Sequence, residues 1–363
     1  KVSFSAKRRS LFFPIAPRKY IKGVGAELVS ECYYWCMQTR RILVAPLDWG
    51  LGHASRCVPL IRRFLQEGHT VTLAGTGASG NLLRLHFPAL RFLELPGYAI
   101  RYPSHSGLVP YLGLQIPGLL RSIRKEHDWL EQLLKQESFD QIISDNRYGL
   151  WHPAIASVIL THQLYLPLPT SMRWAKGLVQ RRLHRWLNRF GEIWVPDHPG
   201  RENLSGGLSH PAPGNLRVEY IGPLSRFSTV SLQQVQQKTL DVVAVLSGPE
   251  PQRSLLESRI VASYQHTTMK VRIITGQPGV DRTRDSSGNI EFVGHLADEE
   301  FIDTLKRAGT IYCRSGYSSL MDLDALGLKA VLIPTPGQTE QEYLAEHFRM
   351  KGWEVLSQSE LSK

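Results

Sequence analysis

The sequence predicts an α/β protein made of two doubly wound domains, each a mostly parallel sheet with helices on both faces. Three observations carry this. Short apolar runs alternate with amphipathic helical stretches through most of residues 41–356. The alternation breaks once, at the Ser/Gln-rich stretch Gly222–Thr239 with its Gly-Pro start, and then restarts with the same logic at Asp241. A length of 363 residues also suits two domains better than one.

Ile42–Pro46 reads as a buried strand that runs into Leu47-Asp48-Trp49-Gly50-Leu51-Gly52-His53. Ala54–Gln66 follows as a helix, with Val58, Leu60, Ile61, Phe64 and Leu65 at helical spacing and Gly68 as its stop. With the strand Thr70–Ala74 this is one βαβ unit, which implies a parallel pair and a right-handed crossover. Strands are then expected near 91–95, at 140–144, at 162–166 and at 192–195, with helices near 119–136 and 172–190. In the second half, strands are expected at 241–246, 271–275, 290–293, 309–313 and 330–334. Helices are expected from about Arg253, over 298–306, after Gly316, and from Glu340.

The two ends stand apart from this pattern. Residues 1–40 carry eight Lys/Arg against two Glu, so they hold +6 of the net charge of +11. The core is therefore only modestly basic, which argues against a nucleic-acid partner. The first methionine is Met37, directly before the first strand, so 1–40 reads as a disordered extension outside the core, either a targeting segment or upstream sequence. Ser357-Gln-Ser-Glu360 resembles a capping box with almost no helix after it, and the reading is that a last helix is missing. Apolar residues at 42% and charged residues at 21% describe an ordinary globular chain, with no run long enough to span a bilayer. Cys32, Cys36, Cys57 and Cys313 show no zinc-type spacing. A reducing cytoplasmic setting follows, with a peripheral contact at the inner face of a membrane left open.

Five stretches hold chemistry. Asp48-Trp-Gly-Leu-Gly-His53 lies at the carboxyl end of a strand, where open α/β sheets bind ligands. Gly50 and Gly52 let the backbone approach a ligand, and His53 suits a general base, although a structural turn also fits. Ser144-Asp145-Asn146-Arg147 ends a buried strand on the same edge, where Asp145 is fit to orient an acceptor or a base and an Asx turn fits equally. Leu246-Ser-Gly-Pro-Glu-Pro-Gln-Arg253 offers Ser247, the Gly248 backbone and Arg253 to a phosphate, or is an ordinary turn. Arg314-Ser315-Gly316 opens a helix bearing Asp322, an arrangement that cradles anions. Asp322 and Asp324 are two apart on a helix and point in different directions, so no metal site is expected there. Arg173, Lys176, Arg181, Arg182, Arg185 and Arg189 interleave with Trp174 and Trp186 and no acid, compatible with a membrane or anionic-acceptor contact or with a solvated helix face.

Residues 313–348 resemble the C-terminal domain of family 28 glycosyltransferases, the group that includes the GlcNAc transferase of the lipid-linked peptidoglycan precursor. The resemblance rests on R-S-G at 314–316, Asp322, A-L-G-L at 325–328, the strand ending at Pro334, and Q-E-Y at 341–343, with a weaker match through G-L-G-H at 50–53. It implies a GT-B fold, two Rossmann-like domains facing across a cleft. Residues 41–222 would be the acceptor domain, 223–240 the linker and 241–363 the donor domain. It implies inverting transfer from a nucleotide sugar, UDP-linked, with no metal and no cofactor, to a lipid-linked or saccharide acceptor. Ser315 and Gly316, with Arg314 beside them, would lie against the diphosphate. Asp322 would hold the ribose, Gln341 and Glu342 the sugar, and Phe292 and His295 the base. His53, with Gly50, Gly52, Asn146 and Arg147, would lie on the acceptor side. The chain departs from the family in the S-G-P-E-P-Q-R loop and in Glu342, where a second Gln is usual, so its acceptor is expected to be its own. Two other readings stay open: a non-hydrolysing UDP-GlcNAc 2-epimerase and a non-catalytic sugar-nucleotide binder.

Overall fold

The computed structural model describes residues 39–98, 108–228, 237–248, 250–276, 283–294 and 296–362. Residues 40–363 form one compact unit. The predicted extension and the middle of the predicted linker thus lie outside the described residues.

The first half alternates as expected. Its strands are β1 (Arg41–Pro46), β2 (Thr70–Gly75), β3 (Phe92–Glu94), β4 (Gln141–Asp145), β5 (Ala156–Leu160), β6 (Glu192–Val195) and β7 (Val218–Tyr220). The intervening helices are α1 (Leu51–Gln66), α2 (Gly77–His86), α3 (Leu108–Leu134) and α4 (Lys176–Leu187), the last preceded by a 3-10 turn at Thr170–Ala175. The strands form one sheet in the order β3-β2-β1-β4-β5-β6-β7, and every pairing is parallel. Its centre is covered on both faces: Ile42, Leu43, Val44 and Ala45 of β1 are all buried. Helix α1 buries Ala54, Cys57, Val58, Leu60, Ile61 and Phe64. Each large side chain there contributes about 1.5–3 kcal/mol by leaving water.

The fifth strand is displaced from its expected place. It is Ala156–Leu160, and 162–166 is loop. The Ser-Val-Ile-Leu run takes the sheet position, and the chain leaves it at Thr161 to cross the carboxyl edge. That shift brings His162 out of the sheet and into the site.

The second half has strands β8 (Leu240–Val245), β9 (Val271–Ile274), β10 (Thr283–Ser287), β11 (Ile290–Val293), β12 (Ala308–Cys313) and β13 (Val331–Leu332). Its helices are α5 (Gln252–Tyr264), α6 (Asp298–Lys306), α7 (Tyr317–Leu326) and α8 (Thr339–Met350). The sheet order is β10-β11-β9-β8-β12-β13. All pairs are parallel except β10 with β11, an antiparallel hairpin the sequence pattern does not reveal. Ser357–Glu360 forms half of its expected cap, the Ser357 N–H donating to Glu360 at 2.5 Å, and opens a 3-10 turn at Glu360–Ser362.

The halves share a packed boundary. Leu204 and Leu208, from the loop before β7, join the apolar core of the second half with Tyr317, Leu320 and Leu344. Both sheets therefore present their carboxyl ends to the same region, which is where the functional groups lie.

Candidate functional site

Register sets the first half of the site. Asp145 is the last residue of β4, paired with Pro46 of β1 and Leu160 of β5, and is fully buried. After Pro46 the chain turns through Gly50, whose φ of +83° only glycine adopts freely, and starts α1. His53 and Arg56 are then one turn apart on one helix face, and both reach Asp145. His53 Nδ1 lies 3.1 Å from Asp145 Oδ2. Arg56 Nε donates to the same oxygen at 2.9 Å, and its Nη2 donates to Oδ1. Arg56 Nη2 is also 2.8 Å from His53 Nδ1.

This geometry fixes the charges. Burial alone would raise Asp145, but the Arg56 guanidinium and His53 outweigh it and hold the carboxyl at about 2. Burial lowers His53, Asp145 opposes that, and Arg56 adds to the lowering, so the imidazole is neutral at neutral pH. Arg56 Nη2 can only donate, so it competes with Asp145 for His53 Nδ1; in the tautomer whose Nδ1–H goes to Asp145, the Nε2 lone pair is left basic. Among the described residues Nε2 has no hydrogen-bond partner.

The network continues into the second half. Arg56 Nη1 lies 3.4 Å from His162 Nδ1, and His162 Nε2 lies 2.8 Å from Glu340 Oε1 at the start of α8. Gln163 donates to the other Glu340 oxygen. The His162 ring stacks flat on Tyr317, with centroids 3.9 Å apart and planes 3° apart, and the Tyr317 hydroxyl donates to the Pro196 carbonyl at 2.9 Å. Arg56, His162, Tyr317 and Glu340 escaped the sequence reading. The one available signal was Arg56 standing three residues after His53 on a helix.

The second half brings the start of α7 against the start of α1. Ser318 Oγ donates to the Gly52 carbonyl at 3.0 Å, and a Cβ at Gly52 would stand 2.7 Å from that oxygen. Gly52 is thus required for close approach of the two helices. Gly316 caps α7 with an extended backbone and no side-chain cap. Asp322 accepts from Ser225 Oγ at 2.6 Å, and burial pushes its carboxyl up to about 6. Asp324 turns instead to His198 at 3.1 Å, so the two acids diverge as their spacing requires.

Several expected contacts are used within the fold. Arg314 is wholly buried: Nη1 donates to the Ile333 and Pro334 carbonyls at 3.2 Å each, and Nη2 to the Gln252 carbonyl and Gln358 Oε1 at 2.7 Å each. It ties strand ends together, and its two terminal nitrogens do not reach toward a ligand. Ser315 donates its hydroxyl to the Gln341 carbonyl at 2.7 Å. Gln341 accepts from the Thr335 N–H at 2.9 Å, and Glu342 from the Gly337 N–H at 2.7 Å, so both hold the loop after β13. The first-turn acid that faces the opposite half is Glu340. Arg147 is also buried, donating to the Pro46 carbonyl at 2.7 Å, Glu126 at 2.6 Å and Asp48 at 3.4 Å; it braces the turn instead of lining the acceptor side. Arg253 pairs with Glu250 inside its own turn. Phe292 packs half-buried against the core. Ser247 is half-buried, and Gly248 is exposed at φ +96°. Asn146 adopts φ +54°, and its buried Oδ1 has no partner. His295 lies outside the described residues.

Among the described residues five further buried polar atoms lack partners, and three of them lie beyond strands of the second sheet: Gln252 Oε1 at the start of α5 after β8, Arg314 Nε after β12 and Thr335 Oγ1 after β13. Buried polar atoms are ordinarily satisfied. A hydroxyl and a guanidinium N–H at strand ends are suited to an oxygen-rich ligand.

An uncharacterized glycosyltransferase of Methanosarcina mazei is 21% identical over 335 residues, covering 86% of this chain and 84% of the relative. The UDP-N-acetylglucosamine–N-acetylmuramyl-(pentapeptide) pyrophosphoryl-undecaprenol N-acetylglucosamine transferase of Desulforudis audaxviator is 31% identical over 130 residues, 32% of this chain and 34% of the relative. Among solved structures, the spinosyn rhamnosyltransferase SpnG superposes with a TM-score of 0.60 at 15% identity, covering 89% of this chain and 90% of that one. The chain is a GT-B glycosyltransferase. This glycosyltransferase is related to the family 28 enzymes, although no family model matches it. The carboxyl-edge network of His53, Arg56 and Asp145 is accordingly the candidate active centre of the glycosyltransferase.

Proposed function

We propose that the enzyme transfers a sugar from a UDP-linked donor to an acceptor hydroxyl with inversion, without a metal or other cofactor. The observation that carries this reading is the neutral, partly exposed His53 held by a buried, ionised Asp145 at the start of α1, against the start of α7. His53 Nε2 takes the proton of the acceptor hydroxyl, the acceptor oxygen bonds to the anomeric carbon, and the bond from that carbon to the phosphate oxygen breaks. The nucleoside diphosphate leaves with the electron pair. Asp145 steadies the imidazolium as it forms.

The donor side follows from the second sheet. The diphosphate lies at the uncapped start of α7, at Gly316, with the Thr335 hydroxyl and the exposed Gly248 backbone beside it. These donors stabilise charge developing on the leaving group. Asp322 accepts from the ribose hydroxyls in place of Ser225, and Glu340 faces the donor sugar. The acceptor is lipid-linked or a saccharide and approaches along the first half, past Asn146. The undecaprenol-linked substrate in the name of the Desulforudis relative supports the lipid-linked form.

The deciding measurement is thermal. UDP-sugars raise the melting temperature of the wild type, and Asp322→Ala abolishes the shift. No shift with any UDP-, GDP- or TDP-sugar overturns the reading.

A further inference from the structure

His162 stands where two helix starts of the second half meet one side chain of the first. The backbone around it is held after β5 ends at Leu160. The Thr161 N–H donates to the Trp194 carbonyl at 3.0 Å, the Gln163 N–H to Thr161 Oγ1 at 3.1 Å, and the Leu164 N–H to the Leu208 carbonyl at 2.8 Å. The His162 ring is thereby presented to the second half, where only 4% of the side chain stays exposed. Its flat face lies on Tyr317, the first residue of α7 and the neighbour of Gly316. Its Nε2 edge meets Glu340 in the first turn of α8. The Tyr317 hydroxyl reaches back to the Pro196 carbonyl, so the ring under His162 is itself fixed from the first half.

For the neutral ring, the donors and acceptors along this edge allow one arrangement. The Arg56 guanidinium can only donate, so its Nη1, 3.4 Å away, meets the lone pair of His162 Nδ1. The ring proton is then on Nε2, aimed at Glu340 Oε1 2.8 Å away. Gln163 donates to Oε2, so each carboxylate oxygen takes one donor from the first half. A carboxylate has about four lone-pair positions. Two are filled, and Glu340 keeps 24% of its side chain exposed, so the others are open to hydroxyls of a ligand. Burial would raise the Glu340 carboxyl, but His162, with His53 and Arg56 behind it, holds it below its usual range, so it is ionised at neutral pH.

We infer that His162 is a positioning residue for the donor sugar: it fixes the Glu340 carboxylate from the opposite half, so that the open lone pairs face the sugar hydroxyls. A glutamate ordered before the sugar arrives loses no further rotamer freedom on binding. Arg56 holds Asp145 through Nε and Nη2, and His162 through Nη1. One guanidinium thus orients the carboxylate behind the base and, through His162, the contact to the sugar. The inference rests on the reading of Glu340 as the acid that faces the donor sugar.

The test uses the whole protein and calorimetry, with UDP, UDP-glucose, UDP-galactose, UDP-N-acetylglucosamine and UDP-glucuronate as probes. The quantity read is the ratio of UDP-sugar affinity to UDP affinity. His162→Phe keeps a flat ring on Tyr317 and loses both nitrogens. His162→Asn can reach Arg56 but is too short for Glu340, whereas His162→Gln offers an acceptor and a donor with the reach of Nε2. His162→Phe and His162→Asn are each expected to lower the ratio by about tenfold, the scale of a hydrogen bond to a charged group, with UDP affinity within about twofold of the wild type. His162→Gln is expected to restore most of the ratio. Glu340→Gln with His162→Phe is expected to be no worse than Glu340→Gln alone, because the two act on one contact. An unchanged ratio in His162→Phe and His162→Asn overturns the inference. So does an equal loss of UDP and UDP-sugar affinity, which would mean that His162 only supports the fold, and so do additive losses in the double variant. Failure of every probe to bind the wild type overturns the nucleotide-sugar reading itself, and this inference with it, so the two failures are distinguishable.

Discussion

At their carboxyl ends the two sheets both run strand into turn into helix, but their polar groups are satisfied differently. In the first, Asp145, Arg56 and His53 bond to one another around an ionised carboxylate kept wholly out of water, and the neighbouring Asn146 Oδ1 is the buried atom left without a partner at that edge. In the second, Gln252, Arg314 and Thr335 each leave a buried polar atom without a partner. A closed network sets where a proton resides. An open one offers two donors, Arg314 Nε–H and the Thr335 hydroxyl, and one acceptor, Gln252 Oε1, to another molecule. One architecture thus supplies a proton acceptor in one half and a ligand cradle in the other.

Substitutions can break that contrast. The largest effect is expected from His53→Ala, which should reduce transfer by ~10²–10⁴-fold while leaving UDP affinity unchanged. Transfer at wild-type rate would remove the first sheet from the chemistry. Next comes Asp322→Ala, which should weaken the nucleotide by roughly tenfold or more, the scale of a hydrogen bond to a charged group. Because burial holds the Asp322 carboxyl at about 6, and the ionised form is the better acceptor, donor affinity should rise as pH passes upward through that value. Asp322→Asn should flatten the rise in a titration of affinity against pH.

Arg56→Gln should act on pH dependence. The His53 imidazole is held below its ordinary 6.5, so activity should appear as pH rises through a midpoint under that value. Removing the guanidinium removes a lowering influence and frees Asp145 to stabilise the imidazolium, so the acid limb should move to higher pH. A rate that falls with the limb unmoved would mean that Arg56 only supports the fold. The smallest effect is expected at the contact between the halves. Gly52→Ala should cost about 1–3 kcal/mol through crowding against Ser318, read as a lower melting temperature. Gly52→Ala with Ser318→Gly should recover most of it.

The repeated strand–turn–helix pattern was legible because buried parallel strands read as continuous apolar runs, and α1 shows a clear helical period. His53 and Asp145 were legible because each ends or follows a strand at the carboxyl edge. The short hairpin β10–β11 was not, since an edge strand of Thr, Arg, Asp and Ser has no apolar signature. Arg314, Gln341 and Arg147 look like ligand contacts in sequence. Whether a polar side chain in a strand-end loop points outward or ties strand ends together depends on long-range acceptors such as Gln252 and Pro46, which one sequence does not pair. Glu340 was missed for a similar reason: on a helix, neighbouring residues point about 100° apart, so the acid facing the other half lies next to the ones expected to do so.

The meeting of α1 and α7 has an electrostatic consequence. Neither helix has an acidic residue in its first turn or a side-chain cap, whereas α6 begins with three acids and α8 with two. Each bare start carries about half a positive charge, and Ser318 on Gly52 brings the two together. Like poles in contact repel, so the apposed halves hold a standing demand for a counter-ion. A nucleoside diphosphate would meet that demand as well as supplying the leaving group. The substrate would then act as the enzyme's own electrostatic clasp, and its departure after transfer would loosen the joint that held it.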